Sequence, residues 1–120
     1  MNIPAFDSGG TLPTFVGSEP HLRAKRSPYK CTFPDFVEHF NTSAKRATIL
    51  LGLNSYRELL YRNDFVDGYQ WLDGSFVEDI ERVRKRAPAD VDVVTLFRRP
   101  STYYGRNSAW LADFRSKIHF

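Results

Sequence analysis

"GYQWLDGSFVEDIERVRKRAPADVDVVTLF", residues 68–97, holds the two strand-like runs of the chain and two clusters that interrupt them. The first run, Tyr69 to Leu72, stops at Asp73-Gly74-Ser75. The second, Val91 to Phe97, opens on Asp90-Val91-Asp92. Between them, Ser75 to about Arg86 has helical spacing, with Phe76, Ile80 and Val83 as its inward face and Pro88 marking its far side. Val91–Phe97 is β-branched and apolar on both faces, the pattern of a central strand, with Val94 and Leu96 entering the core. Two aspartates two residues apart at the mouth of such a strand are either an ordinary loop edge or a metal site.

Outward from this stretch the chain is mostly helical. Residues 1–31 are rich in Pro, Gly and Ser without a sustained period and predict an irregular arm laid over the domain. Thr32 is placed to cap a short helix with Pro34 and Asp35 in its first turn, and Phe33, Phe36, Val37 and Phe40 form its apolar stripe. A longer helix is expected from Ser43 to about Arg62. Ile49, Leu53, Tyr56 and Leu60 share its inner face, Leu50 and Leu59 widen it, and Lys45, Arg46, Arg57 and Glu58 form its wet side. Asn63-Asp64 and Asp67-Gly68 are turn chemistry. After Arg98-Arg99-Pro100 come a turn (Ser101 to Asn107), a helix from Ser108 with Trp110, Leu111 and Phe114 inward, and a tail from Lys117 to Phe120. This order predicts an α+β domain over residues 32–120: a small mixed sheet packed with helices, preceded by the arm, residues 1–31.

The 120 residues suffice for one domain with one core. At 42% hydrophobic, 26% charged and 15% aromatic, the composition is that of a soluble globular protein and not of a disordered chain. No apolar run reaches the length of a membrane span, and the first residues lack the basic and apolar parts of a signal peptide. One cysteine, Cys31, excludes an internal disulfide, and no cysteine–histidine cluster suggests zinc. A cytoplasmic protein without a membrane partner is expected. The formal charge of +3 permits contact with nucleotides or nucleic acid without requiring it. Arg82, Arg84, Lys85, Arg86, Arg98 and Arg99 concentrate near the quoted stretch and are equally explained as a solvated face.

Side chains alternate along a strand, so Asp90 and Asp92 point to one side with Cα atoms about 6–7 Å apart. Two carboxylates at that distance can share a divalent ion, or a pair of ions roughly 3.5–4 Å apart. The donor set suits Mg²⁺, which takes one or two carboxylates and leaves its other positions to phosphate oxygens and water. Gly74-Ser75 has two readings. A glycine before a helix lets phosphate approach the backbone, with the serine hydroxyl as a further donor. Ser75-Phe76-Val77-Glu78 is also a capping box in its own right. Glu78, Asp79 and Glu81 make the first turns acidic, which favours the helix and opposes a triphosphate.

Strand, Gly-Ser, helix and then Asp-x-Asp opening a second strand would set the glycine turn beside the carboxylates. "LDGSF" followed by "ADVDVV" resembles the Gly-Ser…Asp-x-Asp signature of the DNA polymerase β-like nucleotidyltransferase superfamily. Ile3-Pro4-Ala5-Phe6-Asp7 with Leu12-Pro13, then Phe36 to Phe40, Asp73 to Val77 and Asp90 to Val94, resemble a narrower group of uncharacterised bacterial nucleotidyltransferase-like proteins. The resemblance implies a nucleotidyltransferase-type fold in which Asp90 and Asp92 coordinate Mg²⁺ and Gly74 and Ser75 contact nucleotide phosphates. Lys85 and Arg86, with Arg82, are assigned to the leaving group from their charge alone. The implied reaction moves a nucleoside monophosphate from an NTP to an acceptor hydroxyl on a protein, RNA or small molecule, in a toxin or phage-defence context with a partner protein from the same locus.

Two departures leave an alternative open. The superfamily supplies a third carboxylate from a later strand, whereas the acid after Asp92 here is Asp113, within a predicted helix, and the sequence stops at Phe120 where that strand is due. The acidic first turn replaces the usual basic residue. Either the sequence is part of a longer protein whose next strand carries that acid, which keeps the enzyme reading, or the ligand is missing, and a nucleotidyltransferase fold that binds a nucleotide, nucleic acid or partner protein without turnover is the second expectation. His21, His39 and His119 are scattered, Cys31 reads as a small buried apolar residue, and Tyr103-Tyr104-Gly105-Arg106 reads as either a base-stacking loop or simple aromatic packing.

Overall fold

Thr32 starts the first helix where its sequence position predicts. In the computed structural model, which describes residues 3–118, the Asp35 N–H donates to the Thr32 hydroxyl at 3.2 Å and α1 runs Phe33–Phe40. Helix α2, Ala44–Arg62, is capped by Ser43, whose hydroxyl and carbonyl accept the N–H groups of Arg46 (3.2 Å) and Ala47 (2.9 Å). It ends at the predicted turn: Asp64 takes a left-handed conformation (φ 67°) and the Phe65 N–H returns to the Leu60 carbonyl at 3.0 Å. Strand β1 (Gly68–Asp73), a 3-10 turn (Ser75–Val77), helix α3 (Ile80–Arg84), strand β2 (Asp92–Phe97), a second 3-10 turn (Ser101–Tyr103) and helix α4 (Asn107–Lys117) complete the order. The described residues form a small α+β arrangement of four helices and a two-stranded sheet. No helix among the described residues is long and apolar enough to cross a membrane.

The sheet corrects the expected one. Gly68 lies against the backbone of Leu96 and Phe97, the Gln70 side-chain amide donates to the Thr95 hydroxyl at 3.1 Å, and Gly74 lies against Asp92. The strands are thus antiparallel, in a register that sets Asp73 opposite Asp92; the sheet is not mixed and has no central strand. Asp92, Val94 and Leu96 are exposed while Val93, Thr95 and Phe97 are half-buried, so Val94 and Leu96 do not enter the core. One face of this sheet is covered, and with a period of two an apolar run must send half its side chains to the other.

The Cα trace divides into two compact units: Met1–Leu50 with Trp71–Val93, and Leu51–Gln70 with Val94–Phe120. In the first, the rings of Phe36, Phe40 and Phe76 meet at centroid distances of 4.7, 5.8 and 5.9 Å, and all three are buried. The arm belongs to this unit. It is irregular apart from a 3-10 turn at Arg23–Lys25 and an isolated antiparallel bridge between Phe15 and Arg26. Phe6 lays its ring against Phe40 at 6.1 Å. His39, also packed on Phe40, has its pKa lowered by burial, and burial pushes the half-buried Cys31 thiol up.

In the second unit Leu60, Phe65 and Ile118 are buried, with Phe97 and Phe114 packed on them. On the covered strand face the Tyr56 hydroxyl meets the Thr95 hydroxyl at 3.0 Å, and Arg57 donates to the Gln70 side-chain oxygen at 2.6 Å. Two expectations here need correction. Leu111 is exposed, because Trp110 and Phe114 already fill the inward face of α4, and Ile118 of the supposed tail is core. Tyr103 donates to an Asp113 carboxylate oxygen at 2.7 Å, which raises its pKa, and its ring packs against the Leu60, Phe65 and Ile118 cluster.

Candidate functional site

Gly74 follows directly on β1 with φ 85° and ψ −168°, a conformation essentially reserved to glycine. A Cβ added there would stand 2.8 Å from one Asp92 carboxylate oxygen and 3.1 Å from the carboxylate carbon. The Asp92 side chain therefore lies directly over the bare Gly74 Cα. The 3-10 turn Ser75–Val77 comes next, closed by Val77 N–H to the Gly74 carbonyl (3.2 Å) and Glu78 N–H to the Ser75 carbonyl (3.1 Å).

The continuous helix expected from Ser75 to Arg86 is absent. Glu78 is extended (φ −116°, ψ 158°) and α3 begins only at Ile80. Neither Gly74 nor Asp79 caps its helix through a side chain, and the Glu78 N–H donates to the Ser75 carbonyl rather than the hydroxyl, so the Ser75–Glu78 capping box does not form. Phe76 and Ile80 are buried as expected, whereas Val83 is 44% exposed on a helix that is too short and offset to turn it inward. What remains of Val83 packs on the arm: a Cβ on Gly10 (φ 83°) would overlap its side chain.

The carbonyls of the broken segment are met by Arg46, expected on the wet side of α2 and in fact 2% exposed. Its guanidinium lies over the Phe76 ring, 4.8 Å from the centroid. Nη1 donates to the Phe76 carbonyl at 2.6 Å and Nη2 to the Glu78 carbonyl at 2.7 Å. Nε and Nη2 donate to the two Glu81 carboxylate oxygens at 2.8 and 3.0 Å. Sequence reasoning missed this residue, although Arg46, Leu50 and Leu53 stand at i, i+4, i+7 and an apolar stripe with a cation at one end was legible.

The acids divide by partner. Glu81 is neutralised by Arg46, and Asp79 by Arg82 at 2.7 Å, so two of the three acids thought to oppose a phosphate already carry a counter-charge. Arg82 also reaches the carbonyls of Asp7 and Ser8 in the arm, which removes it from the candidate leaving-group residues. Asp73, Asp90 and Asp92 are exposed, and among the described residues none of them stands in an ion pair. Like charges set opposite across two strands repel. The predicted site residues are thus distributed: Gly74 and Asp92 are in contact, and Ser75 opens the 3-10 turn. Asp90 precedes the strand rather than lying in it. Lys85 ends α3 in a left-handed conformation (φ 57°), and Arg86 donates to the Ala87 carbonyl at 3.3 Å, both exposed.

The hydrogen bonds from Arg46 hold the Glu81 carboxyl below its ordinary pKa of 4.5. A carboxylate whose pKa is lowered by folding contributes stability that is complete above the ordinary value and lost as pH falls through the lowered one. Urea unfolding midpoints are therefore expected to drop as pH falls below 4.5, and to drop less in Glu81→Gln. An equal fall in both proteins would remove this ion pair from the acid response. Asp7, lowered by the Thr11 and Gly9 N–H groups it accepts, acts in the same direction.

Carboxylate oxygens are the right donors for Mg²⁺, and these exposed acids stand outside the ion pairs. Among the described residues no three acidic, histidine or cysteine side chains converge to enclose an ion.

A family model described as a family of unknown function, DUF6932, matches residues 4–117. The chain belongs to this family. No curated protein and no solved structure matched it. In this DUF6932 chain the matched span takes in the Gly74 turn, both strands and the Arg46 contacts.

Proposed function

We propose that the chain is a Mg²⁺-dependent nucleotidyltransferase whose site is the Gly74–Asp92 contact. The observation that supports this most is the Asp92 carboxylate packed on the bare Gly74 Cα, because it sets an oxygen donor for the phosphates' counter-ion beside the glycine turn. Asp90 and Asp92 hold the ion, which when bound offsets phosphate charge and lowers the pKa of an attacking hydroxyl. Gly74 admits the triphosphate to the backbone, and the Ser75 hydroxyl donates to it. The acceptor oxygen bonds to the α-phosphorus as the bridge to the β-phosphate breaks, releasing pyrophosphate and the acceptor's proton. Lys85 and Arg86 remain the residues assigned to the leaving group.

Calorimetric titration with MgATP, MgGTP, MgCTP and MgUTP tests the site. The wild type is expected to bind one or more of them only with metal, and Asp90→Asn/Asp92→Asn to lose at least ~tenfold in affinity, about 1.4 kcal/mol. A wild type that binds none of the four removes the nucleotide from the account.

Asp113 supports a second reading, a binding module without turnover. It is the acid that follows Asp92 in the sequence, and it is committed to the Tyr103 hydroxyl and, at 3.8 Å, to Lys117. Incubation with labelled NTP and cell extract separates the two readings: a labelled acceptor requires turnover.

A further inference from the structure

We infer that Arg46 is a positioning residue: its guanidinium holds residues 76–79 out of an α-helix and thereby fixes the Gly74 turn against Asp92. The part of this inference that concerns a ligand rests on the proposed nucleotide site; the part that concerns the chain path does not.

The local sequence favours the alternative. Ser75 and Glu78 are spaced as a capping box, and Phe76, Ile80 and Val83 have helical period. In a continuous helix the Phe76 carbonyl would accept the Ile80 N–H, the Glu78 carbonyl the Arg82 N–H, and the Ser75 carbonyl the Asp79 N–H. None of these pairings is made. Arg46 takes the first two carbonyls, the Arg82 N–H turns to the Asp79 carbonyl at 3.2 Å, and the Asp79 N–H donates to the Gly10 carbonyl at 2.8 Å.

A flat guanidinium is suited to this task because its donors leave in fixed directions, whereas a lysine ammonium is a single point of charge. Glu81 anchors one edge of the fork, which leaves Nη1 and the second Nη2 proton aimed at the two carbonyls. The ion pair alone does not account for the arrangement. Glu81 is 36% exposed on its side chain, so solvent screens much of its attraction, and a buried cation is a net gain only when its donors are matched. The two carbonyls provide that match.

Once the break is in place, Gly74 is the last residue of β1's exit and not the residue before a helix. Its φ of 85° and the approach of Asp92 both belong to the broken path. Release of the carbonyls closes the capping box, rewinds residues 75–79, and turns the glycine away from the carboxylate.

The test uses the full chain, with NMR assignment of wild type, Arg46→Lys, Glu81→Gln and the exposed-site control Lys45→Met, each free and titrated with Mg²⁺ alone and with MgATP. Residues 76–79 are expected to move to helical Cα shifts in Arg46→Lys, less so in Glu81→Gln, and not at all in Lys45→Met. The MgATP Kd is expected to rise ~tenfold or more, the scale of a misplaced supporting group, while Mg²⁺ alone shifts the Asp90 and Asp92 signals at concentrations within about twofold of wild type. If Arg46→Lys does not fold, Glu81→Gln, which keeps the arginine, carries both readouts. Unchanged shifts and unchanged MgATP affinity in a folded variant overturn the inference and make Arg46 a structural plug. A wild type that binds no MgATP overturns the nucleotide site and Arg46's effect on it, while the shifts still decide whether Arg46 sets the chain path.

Discussion

Phe76→Ala is expected to lower unfolding free energy by about 3–5 kcal/mol. The ring is fully buried, and it is the meeting point of three contacts: Phe36, near-parallel at 22° and 5.9 Å, Phe40 at 5.8 Å, and the Arg46 guanidinium at 4.8 Å. Truncation removes the apolar transfer energy, leaves a void that two aromatic neighbours and a tethered cation cannot collapse to fill, and withdraws the π-face from Arg46. Urea unfolding followed by fluorescence measures it. Tyr61→Ala, at a side chain 73% exposed, is the comparison and is expected to change stability by no more than about 0.5 kcal/mol. Similar losses in the two variants would mean that Phe76 is not the centre of its unit.

Gly68→Ala should be nearly as costly, for a different reason. A Cβ there would overlap the Leu96 carbonyl oxygen and lie 2.6 Å from the Phe97 Cα and 2.9 Å from the Leu96 carbonyl carbon. These are backbone atoms of the paired strand and cannot step aside as a side-chain end can, so the strands must part or shift register. About 3 kcal/mol is expected, the upper range for an added methyl in a packed site. Gly17 supplies the control, because it has a positive φ of 77° and nothing within 4 Å. Gly17→Ala meets backbone strain without a clash and should cost about 1 kcal/mol. If Gly17→Ala proves the more damaging, close approach of the strands at Gly68 is not what excludes a side chain there. Thermal and urea melts of both variants decide the order.

The elements that were legible are those whose signals are local. Thr32 with its phenylalanine stripe gave α1, Ser43 and Asn63-Asp64 bracket α2, and the β-branched run gave β2 to within one residue. The contact between Gly74 and Asp92 also follows from element order. What was illegible depends on partners far along the chain. The helix at Ser75 is the better local solution, and it loses to an arginine some 30 residues earlier that occupies its carbonyls. Arg46 itself reads as solvent-facing because charge is the stronger local cue, and only the pairing with Glu81 reverses it. Val94 and Leu96 read as core because an apolar run does not state how many strands flank it, and here the sheet stops at two.

The order of segments in the two compact units limits how the protein can be dissected. Each unit is assembled from two stretches, and residues 51–70 of one are threaded between residues 50 and 71 of the other. No single scissile point, and no pair of terminal truncations, yields either unit free of residues of the other. A fragment ending at Leu50 would carry Phe36, Phe40 and Arg46 without the ring and carbonyls they hold, and would expose an aromatic surface prone to clumping. Excising the middle stretch would instead need a splice from Leu50 to Trp71, inside a helix on one side and a strand on the other. Assigning roles to the units therefore falls to point substitution in the intact polypeptide.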